Sequence, residues 1–126
     1  AKEDERIGED LDRMGEDPFY YGYSHRKFSY LSRGRYVEQL ERWLQYFPRE
    51  QLHIIQSEEF FTDPSKVFYG VERFLGIGEW EPDLFGRHNV GRYDELNEET
   101  RVKLNDYFKP YNERLDKLLG TSFHWV

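Results

Sequence analysis

Residues 85–99 read FGRHNVGRYDELNEE and bring Arg87, His88, Asn89, Gly91, Arg92 and Tyr93 into what reads as one loop. Glycine lets a backbone turn close to an anion, and arginine offers phosphate oxygens a planar fork of donors. The chemistry suggested is anion holding. The plainer account pairs Arg87 and Arg92 with the nearby Asp94 and Glu95 on the surface. A second basic stretch, YLSRGRY, sets Arg33 and Arg35 around Gly34 and Tyr36. Those arginines could hold an anionic group, or Gly34 could simply turn the chain into a helix with Tyr36 in the core. His25, in YSHRKF, is the candidate general base, because an imidazole changes charge near neutrality. A lone histidine among rings is more often a structural hydrogen-bonder, and His53 and His124 read that way too. Four histidines without a His-x-x-x-His spacing, and no cysteine, predict no metal site. Glu58 and Glu59 are adjacent, so on a helix or strand they point apart, and they read as charge at a helix start.

The whole chain limits what such residues can serve. It has 126 residues with 18 basic against 25 acidic side chains, a formal charge of -7. That balance argues against a general nucleic-acid binder, whose affinity comes from many cations on phosphates, and makes any anion site local. No apolar run reaches the roughly 20 residues that a membrane helix needs, so a soluble chain without membrane partners is expected. The length suits a single domain, or part of one, over 1–126. Aromatic residues make up 18% of the chain, enough to line a polar cleft with rings.

The elements that must position these residues follow from periodicity. Residues 1–17 are mostly charged, with Ile7, Leu11 and Met14 as a narrow apolar edge, and predict a short helix that would be marginal and mobile as a free N-terminus. Residues 18–36 show no sustained period and read as loop with one irregular turn. In RYVEQLERWLQYFP, Tyr36, Val37, Leu40, Trp43, Leu44 and Phe47 fall on one helical face that Pro48 ends. QLHIIQ, with Leu52, Ile54 and Ile55, reads as one strong buried strand. A helix then starts at Thr62 or Asp63 with Pro64 in its first turn and stops at Gly76. The last helix starts at Asn97, carries Leu104, Phe108, Tyr111, Leu115 and Leu118 on one face, and stops at Gly120; Pro110 should kink or split it. Helix, strand, helix is one slice of an α/β layer fold. A single strand cannot satisfy its own backbone groups, so its neighbours are expected outside these residues.

GRYVEQLERWLQYFPREQLHIIQSEEFFTDPSKVFYGVERFLGI resembles the C-terminal half of sulfotransferases that use 3'-phosphoadenosine 5'-phosphosulfate, especially the heparan sulfate and related bacterial branch. The likeness rests on Gly-x-Tyr, Leu-Glu-Arg-Trp, the Phe-Pro turn, the Asp-Pro helix start and the Phe-Leu-Gly-Ile helix end. It continues through NEETRVKLNDYFKPYNERLDKLLGTSFHWV, over about residues 30–126. The resemblance implies an α/β, P-loop-type sulfotransferase fold of which this chain is the mostly helical C-terminal portion. The phosphosulfate-binding loop, the usual catalytic base and most of the sheet would then belong to a missing N-terminal half or a second chain. It further implies that the loop before the last helix meets the cofactor's 3'-phosphate, through Arg87, Asn89, Gly91, Arg92 and Tyr93. The family's lysine has no counterpart at its place in that loop. Arg33, Gly34, Arg35 and Tyr36 would line the acceptor cleft.

The implied reaction moves a sulfonate to a hydroxyl or amine of a saccharide or small molecule, leaving adenosine 3',5'-bisphosphate, with this chain inactive alone. A cytoplasmic location is the default expectation. The reading from a different class is a non-catalytic helical interaction domain that docks a partner through Tyr20, Tyr21, Tyr23 and Phe28.

Overall fold

The computed structural model describes residues 2–80, 85–86, 91 and 94–125. These form seven α-helices and fall into two compact units, residues 1–41 with 102–126, and residues 42–101.

The first unit contains α1 (Glu3–Glu16), α2 (Tyr23–Phe28), α3 (Tyr30–Arg33), the start of α4 (Tyr36–Trp43) and most of α7 (Glu98–Leu119). Its buried apolar side chains are Ile7, Val37 and Leu115, at 3%, 1% and 2% exposure. On α1 the buried positions are Glu3, Ile7 and Asp10, which at spacings of four and three share one helix face. The apolar edge read from the sequence is therefore only partly used: Ile7 turns inward, while Leu11 and Met14 stay exposed. Two carboxylates occupy the rest of the buried stripe, and such groups are tolerated only where hydrogen bonds replace lost water.

Those bonds explain a correction. Residues 18–36, read as loop, hold the two short helices α2 and α3. Asp10 Oδ2 accepts the His25 amide at 2.9 Å, and Glu3 accepts the Leu31 and Ser32 amides at 2.7 and 2.9 Å. Partners 15 to 29 residues away cannot be seen in a local pattern.

Helix α7 starts as read, with Asn97 Oδ1 accepting the amides of Glu99 and Thr100 at 2.9 and 3.3 Å. Pro110 does not split it. The ring removes one backbone donor, yet the helix continues from Glu98 to Leu119, with Leu115 buried beyond the proline. Gly120, at φ 67°, ends it in the left-handed region. The tail then folds back: Asp116 accepts the Ser122 hydroxyl at 2.9 Å and the Phe123 amide at 3.2 Å, and Phe123 stacks on Trp125.

In the second unit the expected α4 face stops short. The helix ends at Trp43, and residues through Phe47 continue as turns bonded to the carbonyls of Arg42 and Trp43 before Pro48. The strand read over 51–56 is not formed among the described residues. The backbone is extended at Leu52 (φ -113°, ψ 111°) and Gln56 (φ -79°, ψ 126°), but no second strand stands beside it, and a strand exists only as a paired ladder. Helix α5 (Ser57–Thr62) follows with Glu58 and Glu59 in its first turn, as read.

Helix α6 (Pro64–Leu75) carries local signals at both ends. Asp63 Oδ1 accepts the Lys66 amide at 3.1 Å, Pro64 opens the first turn, and Gly76 at φ 65° lets the Ile77 amide reach the Glu72 carbonyl at 3.2 Å. The Glu72 carboxylate, 3% exposed, accepts the Trp80 amide at 2.7 Å and fixes how the chain leaves the helix. Because Asp63 is the side-chain cap of α6, Asp63→Ala should lower unfolding stability by about 1 kcal/mol in urea titration, whereas Asp63→Ser should recover most of that loss.

Candidate functional site

The first unit holds an open pocket of about 440 Å³ lined by Gly34, Tyr36, Asn105, Phe108, Asn112, His124 and Trp125. Gly34 follows α3 and Tyr36 opens α4. Asn105, Phe108 and Asn112 sit on α7 at spacings of three and four, hence on one face. His124 and Trp125 arrive through the folded-back tail, with the Asn112 amide reaching the Trp125 carbonyl at 3.5 Å. His124 takes φ 54°, a conformation that costs a non-glycine residue about 1 kcal/mol or more and is retained here by the contacts on either side. The Tyr36 ring lies 5.8 Å from that of Trp125.

Gly34 is required by close approach and not by dihedral. Its φ of -77° suits any residue, but a Cβ there would lie 2.6 and 2.7 Å from two ring carbons of Phe108. The pocket wall exists because a ring packs directly on backbone.

Arg35, between Gly34 and Tyr36 in the chain, packs on Tyr111 of α7. Its guanidinium lies 5.7 Å over the Tyr111 ring, with Nη1 3.4 Å from Glu38. Burial alone would lower its pKa, but the Tyr111 hydroxyl and the charge of Glu38 leave it raised, so the side chain stays a cation. Among the described residues its buried Nε has no hydrogen-bond partner, nor has the buried indole Nε1 of Trp125. Arg33 is turned away, donating to the Arg26 carbonyl. Of the four substrate candidates the fold thus brings together Gly34 and Tyr36 at the pocket and Arg35 beside Tyr111, with Arg33 elsewhere.

His25 is half-buried at the third position of α2. Its amide bonds Asp10 and its carbonyl accepts the Ser29 hydroxyl, so its backbone is what the local structure uses. Arg87, Asn89, Arg92 and Tyr93, together with His88, lie outside the described residues; Gly91 is described and exposed. The rings proposed for docking already have intramolecular neighbours: Tyr20 donates to Asp10 at 3.2 Å, the Arg26 guanidinium lies 4.6 Å over Tyr21, and Arg6 lies 5.9 Å over Phe28. Among the described residues no cluster of histidine, aspartate or glutamate has the arrangement of a metal site.

The pocket's α7 and tail residues escaped the sequence reading. Asn105 and Asn112 are polar positions seven apart on the face that carries Phe108, a pattern open to view. His124 and Trp125 gave no such signal, because the tail's return depends on Asp116.

The family model described as "Sulfotransferase domain" matches residues 20–84, which include α2 to α6 and the Gly34 and Tyr36 positions. The chain belongs to the sulfotransferase domain family. The membrane-associated sulfotransferase kil1 of Dictyostelium discoideum is 40% identical over 101 residues, covering 80% of this chain and 21% of that protein. The human bifunctional heparan sulfate N-deacetylase/N-sulfotransferase 2 is 32% identical over an alignment of 110 residues, 69% of this chain and 12% of that protein. The mouse heparan sulfate glucosamine 3-O-sulfotransferase 5 is 26% identical over 125 residues, 79% of this chain and 35% of that protein. This sulfotransferase-family chain therefore spans between about an eighth and a third of these relatives' lengths. Among the described residues no helix is long and apolar enough to cross a membrane.

Gly34→Ala should force the Phe108 ring off the backbone at a cost of about 1–3 kcal/mol, the usual penalty for overpacking. Denaturant unfolding measures that cost, and the double variant Gly34→Ala, Phe108→Leu should recover part of it. An unchanged stability in the single variant would contradict the packing described.

Proposed function

We propose that this chain is the C-terminal portion of a sulfotransferase that moves the sulfonate of 3'-phosphoadenosine 5'-phosphosulfate to a hydroxyl or amine of an acceptor. The observation carrying this reading is the family match, whose range, residues 20–84, takes in α2 to α6. Two of the relatives are named for heparan sulfate, so a saccharide is the first acceptor class to test.

In this reading Arg87, Asn89, Gly91, Arg92 and Tyr93 hold the cofactor's 3'-phosphate. Gly91, exposed and lacking a side chain, suits close backbone approach to an anion, and arginines would supply charge-assisted donors. When bound, the cofactor supplies a sulfonate already joined to a good leaving group. Gly34, Arg35 and Tyr36 form one wall of the acceptor side, Arg33 is engaged with the Arg26 carbonyl away from it, and the Arg35 cation, held by Glu38 and Tyr111, sets the sign of the field there. His25 is the chain's own candidate for taking the acceptor proton.

The missing N-terminal half, on the same polypeptide or a second chain, would supply the phosphosulfate loop and the principal base. The extended backbone at Leu52 and Gln56, with the strand-like apolar pattern between them, is consistent with this division. So are large apolar side chains left exposed in the second unit, among them Trp43, Phe61 and Ile77.

Sulfonate transfer to a heparan-type oligosaccharide should be absent for residues 1–126 alone and appear when the N-terminal half is restored. In the active form, Arg87→Ala with Arg92→Ala should raise the KM for the cofactor by roughly 10- to 100-fold, the loss of one or two charge-assisted hydrogen bonds. Transfer by the isolated chain, or an unchanged cofactor KM in the double variant, would overturn this assignment of roles.

A further inference from the structure

Helices α2 and α3 have 6 and 4 residues, and neither has a side-chain cap of its own. Such lengths do not nucleate in isolation. The residue before α2 is Gly22, which has no side chain to offer. The residue before α3 is Ser29, whose hydroxyl is spent on the His25 carbonyl. The capping bonds come instead from α1. Asp10 Oδ2 takes the amide of His25, the third residue of α2, at 2.9 Å. The two oxygens of Glu3 take the amides of Leu31 and Ser32, the second and third residues of α3, at 2.7 and 2.9 Å. These are the donors that an ordinary N-cap satisfies. Glu3 and Asp10 lie two turns apart on one face of α1, with buried Ile7 between them.

We propose that α1 is a carboxylate clamp and that Glu3 is a positioning residue for the Gly34–Tyr36 wall of the pocket, releasing it on protonation. Helix α3 ends at Arg33, so the place and direction of Gly34 against Phe108 follow from where α3 is capped. Tyr36, two residues on, meets Trp125. The groups facing Glu3 are Arg35 after α3, Tyr107 on α7 and the side chain of Ser32. Those around Asp10 are the Tyr20 hydroxyl and Arg13.

Burial would raise the Glu3 pKa, but the Leu31 and Ser32 amides, the Ser32 side chain and Arg35 together bring it below the ordinary glutamate value. The sign follows. A carboxylate with a depressed folded pKa contributes stability fully above its unfolded pKa, about 4.3, and loses it as pH falls through the lower folded value. The clamp is therefore closed at neutral pH and opens only in acid.

An acid titration of the full chain followed by amide NMR tests the proposal without any ligand. The Leu31 and Ser32 amide signals should move together with one midpoint below the ordinary glutamate range, and the Tyr36 and Trp125 ring signals should follow that midpoint. In Glu3→Gln the shared midpoint should vanish from all of them, and exchange at residues 31 and 32 should quicken about fivefold, as for a lost cap. Asp10→Asn, which leaves Glu3 untouched, should leave the shared midpoint of Leu31 and Ser32 in place. If Glu3→Gln does not fold, Glu3→Asp keeps the charge with shorter reach and should retain a shared acid midpoint for the same signals, with faster exchange at residues 31 and 32. Leu31 and Ser32 amides that ignore Glu3, or ring signals that stay fixed while those amides titrate, would overturn the proposal. Its catalytic consequence rests on residues 33–36 lining the acceptor cleft. The titration is independent of that reading, so the two can fail separately.

Discussion

Buried carboxylates that bond backbone amides at a distance are the constraint on which the first unit depends. A carboxylate removed from water is expensive unless its oxygens find donors, and helix starts are where free donors occur. Glu3 and Asp10 meet that need for α3 and α2, and each side of the bond requires the other. Without α1 the two short helices would have amides without partners. Without those amides, two charges on α1 would lie buried without cause. The same device recurs in the second unit, where buried Glu72 takes the Trp80 amide after α6, and in the tail, where Asp116 takes Ser122 and Phe123. Acidic side chains thus do much of the tying in this chain.

This use of carboxylates separates what the sequence disclosed from what it hid. Helix α6 was legible to within one residue because its signals are local: Asp63, Pro64 and Gly76 stand beside the helix they bound. Asn97 and Gly120 mark α7 for the same reason. Residues 18–36 were read as loop because nothing within four residues caps α2 or α3. Glu3 and Asp10, among so many surface acids in 1–17, carried no mark of their role. Pro110 did not split α7, because one missing hydrogen bond is a small term within a 22-residue helix. At the candidate site, Gly34 and Tyr36 were legible as a motif, yet the reason for the glycine, a phenylalanine ring 74 positions further on in α7, was not. The basic loop that first drew notice falls mostly outside the described residues, so its arginines rest on the sequence alone.

The extended 52–56 segment shows why a local reading can be right in conformation and wrong in structure. Exposure alternates along it, with Leu52, Ile54 and Gln56 more covered than His53 and Ile55, which is the period of a strand. Backbone angles at both ends are those of a strand as well. What is lacking is the partner, and pairing is the one property of a strand that its own residues cannot contain. His53 stacks on Phe74 at 4.9 Å, so α6 packs against the segment, and the backbone bonds at its ends join near neighbours in the chain: the Leu52 amide donates to the Arg49 carbonyl and the Phe60 amide to the Gln56 carbonyl. A segment shaped and patterned in this way has, among the described residues, the local character of a strand without the ladder that would make it one.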